Sequence, residues 1–153
     1  MLRRNKTTGT RSRSGSFAIV ASRYNARYVD SMLRAAAARL KRSGAGVRIV
    51  RVPGAYEIPV AAARLARSGK ISAIVCLGVI LRGQTTHAAH IGEAVTNALT
   101  AIQLETEVPV IHEVLLLENK EQAEIRCVSA RHNRGIEAAQ TALVMAATME
   151  KLR

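Results

Sequence analysis

Four stretches of the chain are apolar at nearly every position. "SFAIVAS" runs from Ser16 to Ser22, "GVRIVRV" from Gly46 to Val52, "AIVCLGVIL" from Ala73 to Leu81 and "VPVIHEVLLL" from Val108 to Leu117. Each is strand-length, rich in β-branched residues and bounded by turn-forming residues. Between them the apolar residues recur every three or four positions instead. In "ARYVDSMLRAAAARLKRSG", Val29, Met32, Leu33, Ala36, Ala37 and Leu40 fall on one stripe, which ends at a glycine. "IPVAAARLARSG" has the same design and ends at Gly69. "HAAHIGEAVTNALTAIQLET" places Ile91, Ala94, Val95, Ala98, Leu99 and Ile102 together. A short helix over "NKEQAEIRC" and a long one over "GIEAAQTALVMAATMEKL" follow the fourth strand.

Strand and helix therefore alternate, and such alternation builds βαβ units into a parallel sheet. The continuous apolarity of the third strand is what a strand covered on both faces requires. The predicted fold is three-layer α/β with a four-stranded parallel sheet. Ligands of such sheets bind beyond the carboxyl ends of the strands. Function is therefore expected at Ser22–Asn25, Pro53–Glu57, Leu81–His87 and the segment after Leu117.

The 153 residues, 48% apolar, suit one globular domain. No apolar run reaches the roughly 18 residues of a membrane span. The spacing of Cys76 and Cys127 fits neither a disulfide framework nor a zinc site, which points to reduced thiols in a cytoplasmic protein. The formal charge of +12 invites a nucleic-acid reading. However, Arg3, Arg4, Lys6, Arg11 and Arg13 concentrate five positive charges in a stretch without acids, and one Phe with three Tyr offers little surface for stacking bases. Residues 1–15 are expected to be a disordered basic tail preceding a domain over 16–153, with no specific nucleic-acid partner. A transit peptide is the alternative reading of that tail.

"VILRGQTTHAAH" ends the third strand. Gly83 permits a tight turn, and Gln84, Thr85 and Thr86 open a helix whose first N–H groups can hold an anion. His87 would stand beside that anion as a proton-transfer group. A capped helix with a surface histidine would also account for these residues. His87 and His90 share a helix face, but no third metal ligand accompanies them beyond Glu93. The second strand ends in "VPGAYEIP" and the first in "SRYN", so two of three tyrosines, Tyr24 and Tyr56, sit at ligand-facing ends, where flat rings suit a flat heterocycle. Arg126 and "RHNRG" (131–135) carry guanidiniums apt for phosphate, or simply form a solvated basic loop.

Taken in order, "VPGAYEIP", "LGVILRGQTTH", "LETEVPVI", "NKEQA" and the pattern at Asn133–Ala139 resemble the 6,7-dimethyl-8-ribityllumazine synthase family of riboflavin biosynthesis, from about Ser16 to the C-terminus. The resemblance implies a flavodoxin-like fold, homopentamers with active sites between subunits, and no cofactor or metal. It implies two small-molecule substrates, 5-amino-6-ribitylaminouracil and 3,4-dihydroxy-2-butanone 4-phosphate. His87 matches the proton-shuttling histidine and Tyr24 the ring-stacking aromatic. Ala55, Tyr56 and Glu57 match the segment that holds the ring and ribityl chain. Val79, Ile80 and Leu81 match the backbone along the ring's other edge. Gln84 and Thr85 from one subunit, with Arg126 and Arg134 from its neighbour, match the phosphate ligands; Arg134 stands where Lys is usual. His112 stands where an aromatic from the neighbour is common. The loop "CVSARHNRG" lacks the Gly-rich form of shell-forming members. An archaeal-type riboflavin synthase is the enzymatic alternative, and the intact "RGQTTH" favours the first family.

Overall fold

The apolar runs become strands because each is long enough to cross the sheet once and is stopped by residues that turn the chain. In the computed structural model, which describes residues 15–83 and 85–153, the strands are β1 (Ser16–Ser22), β2 (Gly46–Val52), β3 (Ala73–Leu81) and β4 (Val110–Leu117). Gln84 and nearly all of the expected tail lie outside the described residues. All pairings are parallel, in the order β2-β1-β3-β4. One line across the sheet runs through Val50, Val20, Cys76 and His112. The three-layer α/β architecture expected from the alternation, flavodoxin-like as the resemblance implies, is the one observed.

The helices are α1 (Ala26–Arg42), α2 (Ile58–Arg67), α3 (His87–Thr106), the short α4 (Lys120–Ala123) and α5 (Arg134–Lys151). The period-two alternation of each strand sends side chains to opposite layers. Phe17, Ile19, Val75 and Leu77 pack with Met32, Leu40 and Ala139 under α1 and α5. Val20, Ile74 and Cys76 pack with Ile58, Val95 and Leu99 under α2 and α3. Phe17, Ile19, Met32 and Leu40 are fully buried, each gaining roughly 1.5–3 kcal/mol relative to exposure. All six residues of the α1 stripe are buried. Among the described residues no helix is long and apolar enough to cross a membrane.

Three details depart from the sequence expectation. The β4 ladder begins at Val110, two residues later than the apolar run, because Pro109 has no N–H to donate; its carbonyl still accepts from Ile74 N–H at 2.9 Å. Ala94 of the α3 stripe is exposed, since that stripe extends past the core onto the rim of a cleft. The expected helix over Asn119–Cys127 is α4 followed by one π-helical turn, Glu124–Val128. The Asn119 side chain caps its start by accepting from Gln122 N–H at 2.9 Å.

Candidate active site

The chain runs from β1 to β2 on one side and then to β3 on the other, so the sheet changes direction between β1 and β3. A cleft of about 780 Å³ opens at the carboxyl ends of those strands. Tyr24, Ala55, Tyr56, Glu57, Val79, Ile80, Leu81 and His87 all line it, as do Asn25 and His90. A larger groove of about 1350 Å³ lies at the amino-terminal edge of the sheet, around Ser72, Pro109 and the end of α5. It contains no histidine or tyrosine, whereas the smaller cleft gathers two of each.

Local bonds hold the walls of the cleft in place. The loop after β1 is tied to the loop after β2, since Arg23 N–H donates to Val52 O at 2.8 Å and Tyr24 N–H to Pro53 O at 3.0 Å. Asn25 takes a left-handed conformation (φ 59°), and its Nδ2 donates to Val79 O at 2.7 Å, fastening the same loop to β3. Gly54 allows the Tyr24 ring to approach, because a Cβ there would lie 2.9 Å from Tyr24 Cδ2. Residues Ala55–Glu57 form a 3-10 turn, and Glu57 Oε2 accepts from Gly54 N–H at 3.1 Å. The tyrosine rings are left open to the cleft, 68% exposed for Tyr24 and 65% for Tyr56.

His87 is the first residue of α3, where N–H groups and the helix dipole favour a negative charge. Thr85 Oγ1 accepts weakly from His87 N–H, at 3.3 Å, and Thr86 Oγ1 lies 3.2 Å from His90 Nε2. Thr86 occupies the cap position without bonding a backbone N–H. The two hydroxyls thus remain near the helix start as potential donors to an anion. Among the described residues no group of three His, Cys, Asp or Glu is placed to hold a metal.

Arg126, Arg134 and His112 do not line this cleft. Arg126 sits on the π-helical turn, exposed, with no hydrogen-bond or ion-pair partner among the described residues. Arg134 begins α5 and is occupied. Its Nε and Nη2 donate to Glu113 at 3.2 and 3.1 Å, and its Nη1 contacts Glu137 at 2.6 Å. Burial pushes the Glu113 carboxyl up, while the guanidiniums of Arg134 and then Arg126 pull it back; the same carboxylate holds Arg134 more firmly protonated. Two N–H donors on one carboxylate is the geometry of an ionised pair.

His112 lies on β4 against α3. Its Nδ1 accepts from Val114 N–H at 3.1 Å, so the ring proton is on Nε2, which donates to Thr96 Oγ1 at 2.8 Å; Thr96 in turn donates to Gly92 O at 2.8 Å. Although the residue is exposed overall, partial desolvation of the ring beside α3 holds this imidazole below the usual histidine range.

Asn25 and Glu113 were not singled out by the sequence reading. Asn25 could have been suspected from its place between strand and helix, where a left-handed residue is often needed. Glu113 is an acid inside an otherwise apolar strand, a signal that a buried partner exists.

The sequence profile described as 6,7-dimethyl-8-ribityllumazine synthase matches residues 14–150. The chain belongs to that family. It is 44% identical over 139 residues to the 6,7-dimethyl-8-ribityllumazine synthase of Xanthomonas oryzae pv. oryzae (strain PXO99A), covering 89% of this chain and 90% of that protein. It is 41% identical over 142 residues to the synthase of the same name from Stenotrophomonas maltophilia (strain R551-3), and 40% identical over 139 residues to that of Xylella fastidiosa (strain M12).

Proposed function

We propose that this chain condenses 5-amino-6-(D-ribitylamino)uracil with 3,4-dihydroxy-2-butanone 4-phosphate to give 6,7-dimethyl-8-ribityllumazine. The observation that carries the reading is the cleft itself, which gathers two exposed tyrosine rings, the carbonyl-bearing end of β3 and His87 at a helix N-terminus.

The primary amine of the uracil attacks the ketone and loses water to give an imine. Phosphate then leaves, and the ribitylamino nitrogen closes the ring with loss of a second water. Each step moves protons between nitrogen, oxygen and carbon near neutral pH. His87 shuttles those protons. Tyr24 stacks on the pyrimidinedione, Ala55 and Tyr56 help to hold the ring and the ribityl chain, and the backbone of Val79, Ile80 and Leu81 runs along the ring's other edge. Glu57 uses the oxygen not committed to Gly54 to accept from ribityl hydroxyls. Gln84 and Thr85 meet the phosphate at the start of α3. Holding two substrates in register supplies much of the rate.

The cation of the site comes from a second copy. Arg126 stands away from its own cleft, and an adjoining chain supplies it as the clamp on the phosphate, with His112 packed beside it. The assembly is a homopentamer with sites between subunits, located in the cytoplasm, and the basic residues 1–15 take no part in catalysis.

Product formation from purified substrates tests this directly. Lumazine is expected only when both substrates are present; product from the uracil alone, or none at all, refutes it. His87→Ala is expected to lower kcat by about ten-fold or more, since positioned acid–base groups contribute on the order of 10²–10⁴, and to leave sedimentation unchanged. Unaltered turnover removes His87 from the mechanism.

A further inference from the structure

The segment that carries Arg126 is pinned on both sides. Asn133, buried at the start of α5, donates from Nδ2 to Cys127 O at 2.8 Å and accepts from Gly135 N–H at 2.8 Å. Cys127, the residue next to Arg126, is fully buried. One residue beyond Asn133, the Arg134 guanidinium spans both oxygens of Glu113 and reaches Glu137 as well. The Glu113 side chain is only 10% exposed. Arg134 thus has its Nε, Nη1 and Nη2 committed within its own chain, while Arg126 has no such partner among the described residues. A guanidinium held by two carboxylates is a poor ligand for a third anion, because phosphate would have to displace a bidentate, half-buried bond and face two negative charges.

We propose that Glu113 is a positioning residue of this enzyme: it engages Arg134 as a strut between β4 and the start of α5, and so leaves Arg126 as the cation that meets the substrate phosphate. This deepens the function proposed above and rests on it. Arg134 then acts through Arg126, by fixing the turn on which Arg126 is carried, and does not touch phosphate. The predicted role of Arg134 as a phosphate ligand gives way to a bridge, and Glu113 becomes the residue on which the bridge depends.

A double-mutant cycle separates the two roles. Binding of inorganic phosphate is measured by calorimetry on the full assembly, in parallel with KM for the phosphate substrate and kcat, for Glu113→Gln, Arg134→Gln, the double variant and Arg126→Gln. Arg126→Gln is expected to weaken phosphate binding ten-fold or more. Glu113→Gln and Arg134→Gln are each expected to weaken it three- to ten-fold and to raise KM more than they lower kcat. The double variant should be no worse than the poorer single one, because both remove the same strut. Effects that multiply in the double variant, or tighter phosphate binding in Glu113→Gln, would show Arg134 to be a direct ligand and overturn the proposal. So would undiminished binding in Arg126→Gln or no binding by the unaltered protein.

If Glu113→Gln does not fold, Arg134→Lys provides a second route. Its ammonium keeps the charge but cannot span both carboxylate oxygens. It should weaken phosphate as much as Arg134→Gln does, whereas unchanged affinity overturns the proposal. Absence of lumazine formation with the binding cycle intact would instead sink the enzymatic reading alone.

Discussion

Gly135→Ala puts the packing of α5 on α1 to a quantitative test. In most helices the change helps, since alanine is favoured over glycine by up to about 1 kcal/mol. At Gly135 a Cβ would stand 2.2 Å from the carbonyl oxygen of Met32 and 2.8 Å from its carbonyl carbon and Cα. These are backbone atoms of α1, so no rotamer change relieves the contact. Ordinary separation is regained only if the two helices part by roughly 1 Å. That movement loosens contacts around the fully buried Met32, Ala36 and Ala139. It also disturbs the Asn133 cap at Gly135 N–H and the Arg134 bridge to Glu113. Overpacking alone costs about 1–3 kcal/mol, and a backbone collision belongs at the upper end. A net loss of about 3 kcal/mol is expected, lowering Tm by roughly 6–12 °C for a chain of this length. Urea and thermal unfolding at one fixed protein concentration measure it, because assembly makes both depend on concentration. Gly92→Ala on α3 is the comparator, since its Cβ would meet only Leu116 Cδ2 at 3.8 Å, and it should not destabilise. A Gly135→Ala protein that melts at or above the unaltered one refutes the packing argument.

Other expectations concern groups that the fold has committed. Burial pushes the Cys76 thiol up to about 12 and Cys127 up to about 11, and both residues are fully buried, so neither should react with a thiol reagent at pH 8 until urea unfolds the chain; labelling under native conditions would contradict this. Ser22 Oγ is buried with no hydrogen-bond partner among the described residues, so Ser22→Ala should raise stability by about 1 kcal/mol in urea unfolding, and an equal loss would mean the hydroxyl is satisfied in solution. The folded His112 ring resists protonation, whereas the unfolded one takes up a proton near 6.5, so its contribution is complete above that pH and is lost as pH falls through the lowered folded value. His112→Phe should therefore flatten the decline of stability below pH 6.5, and an unchanged decline would exclude His112 as its source.

Much of this structure could be read from spacing because each decisive feature was local. The runs of β1, β2 and β3 end where turn residues begin, and the stripe of α1 is buried in full because α1 lies flat on the sheet. The stripe of α3 was read too broadly. A 3.6-residue period identifies an apolar face but not what covers it: Ile91 packs against the core while also lining the cleft, whereas Ala94 lies exposed on the cleft's rim. That the tyrosines and His87 line one cleft was legible because the loops after neighbouring parallel strands meet at one end of the sheet. Asn25 and Glu113 were not, because their importance lies in Val79 O and Arg134, 54 and 21 residues away in the chain. The π-helical turn at Glu124–Val128 has no sequence period of its own to announce it.

The sheet order explains why the strut is needed. The cleft forms at the carboxyl ends of the neighbouring strands β1 and β3, whereas Arg126 follows β4, the strand at the sheet's far edge. One copy therefore presents rings and an imidazole without the cation, and a cation without the rings. In the divided site proposed above, the position of that arginine has to be set within the chain that carries it, by bonds already made before the copies meet. Ordering a long side chain at the moment of binding would cost about 0.5–1.5 kcal/mol for each such group. The Asn133 bond to Cys127 and the Glu113–Arg134 bridge fix the turn beneath Arg126 in advance, so the backbone's share of the ordering falls on folding and only the Arg126 side chain is left to be ordered on substrate capture.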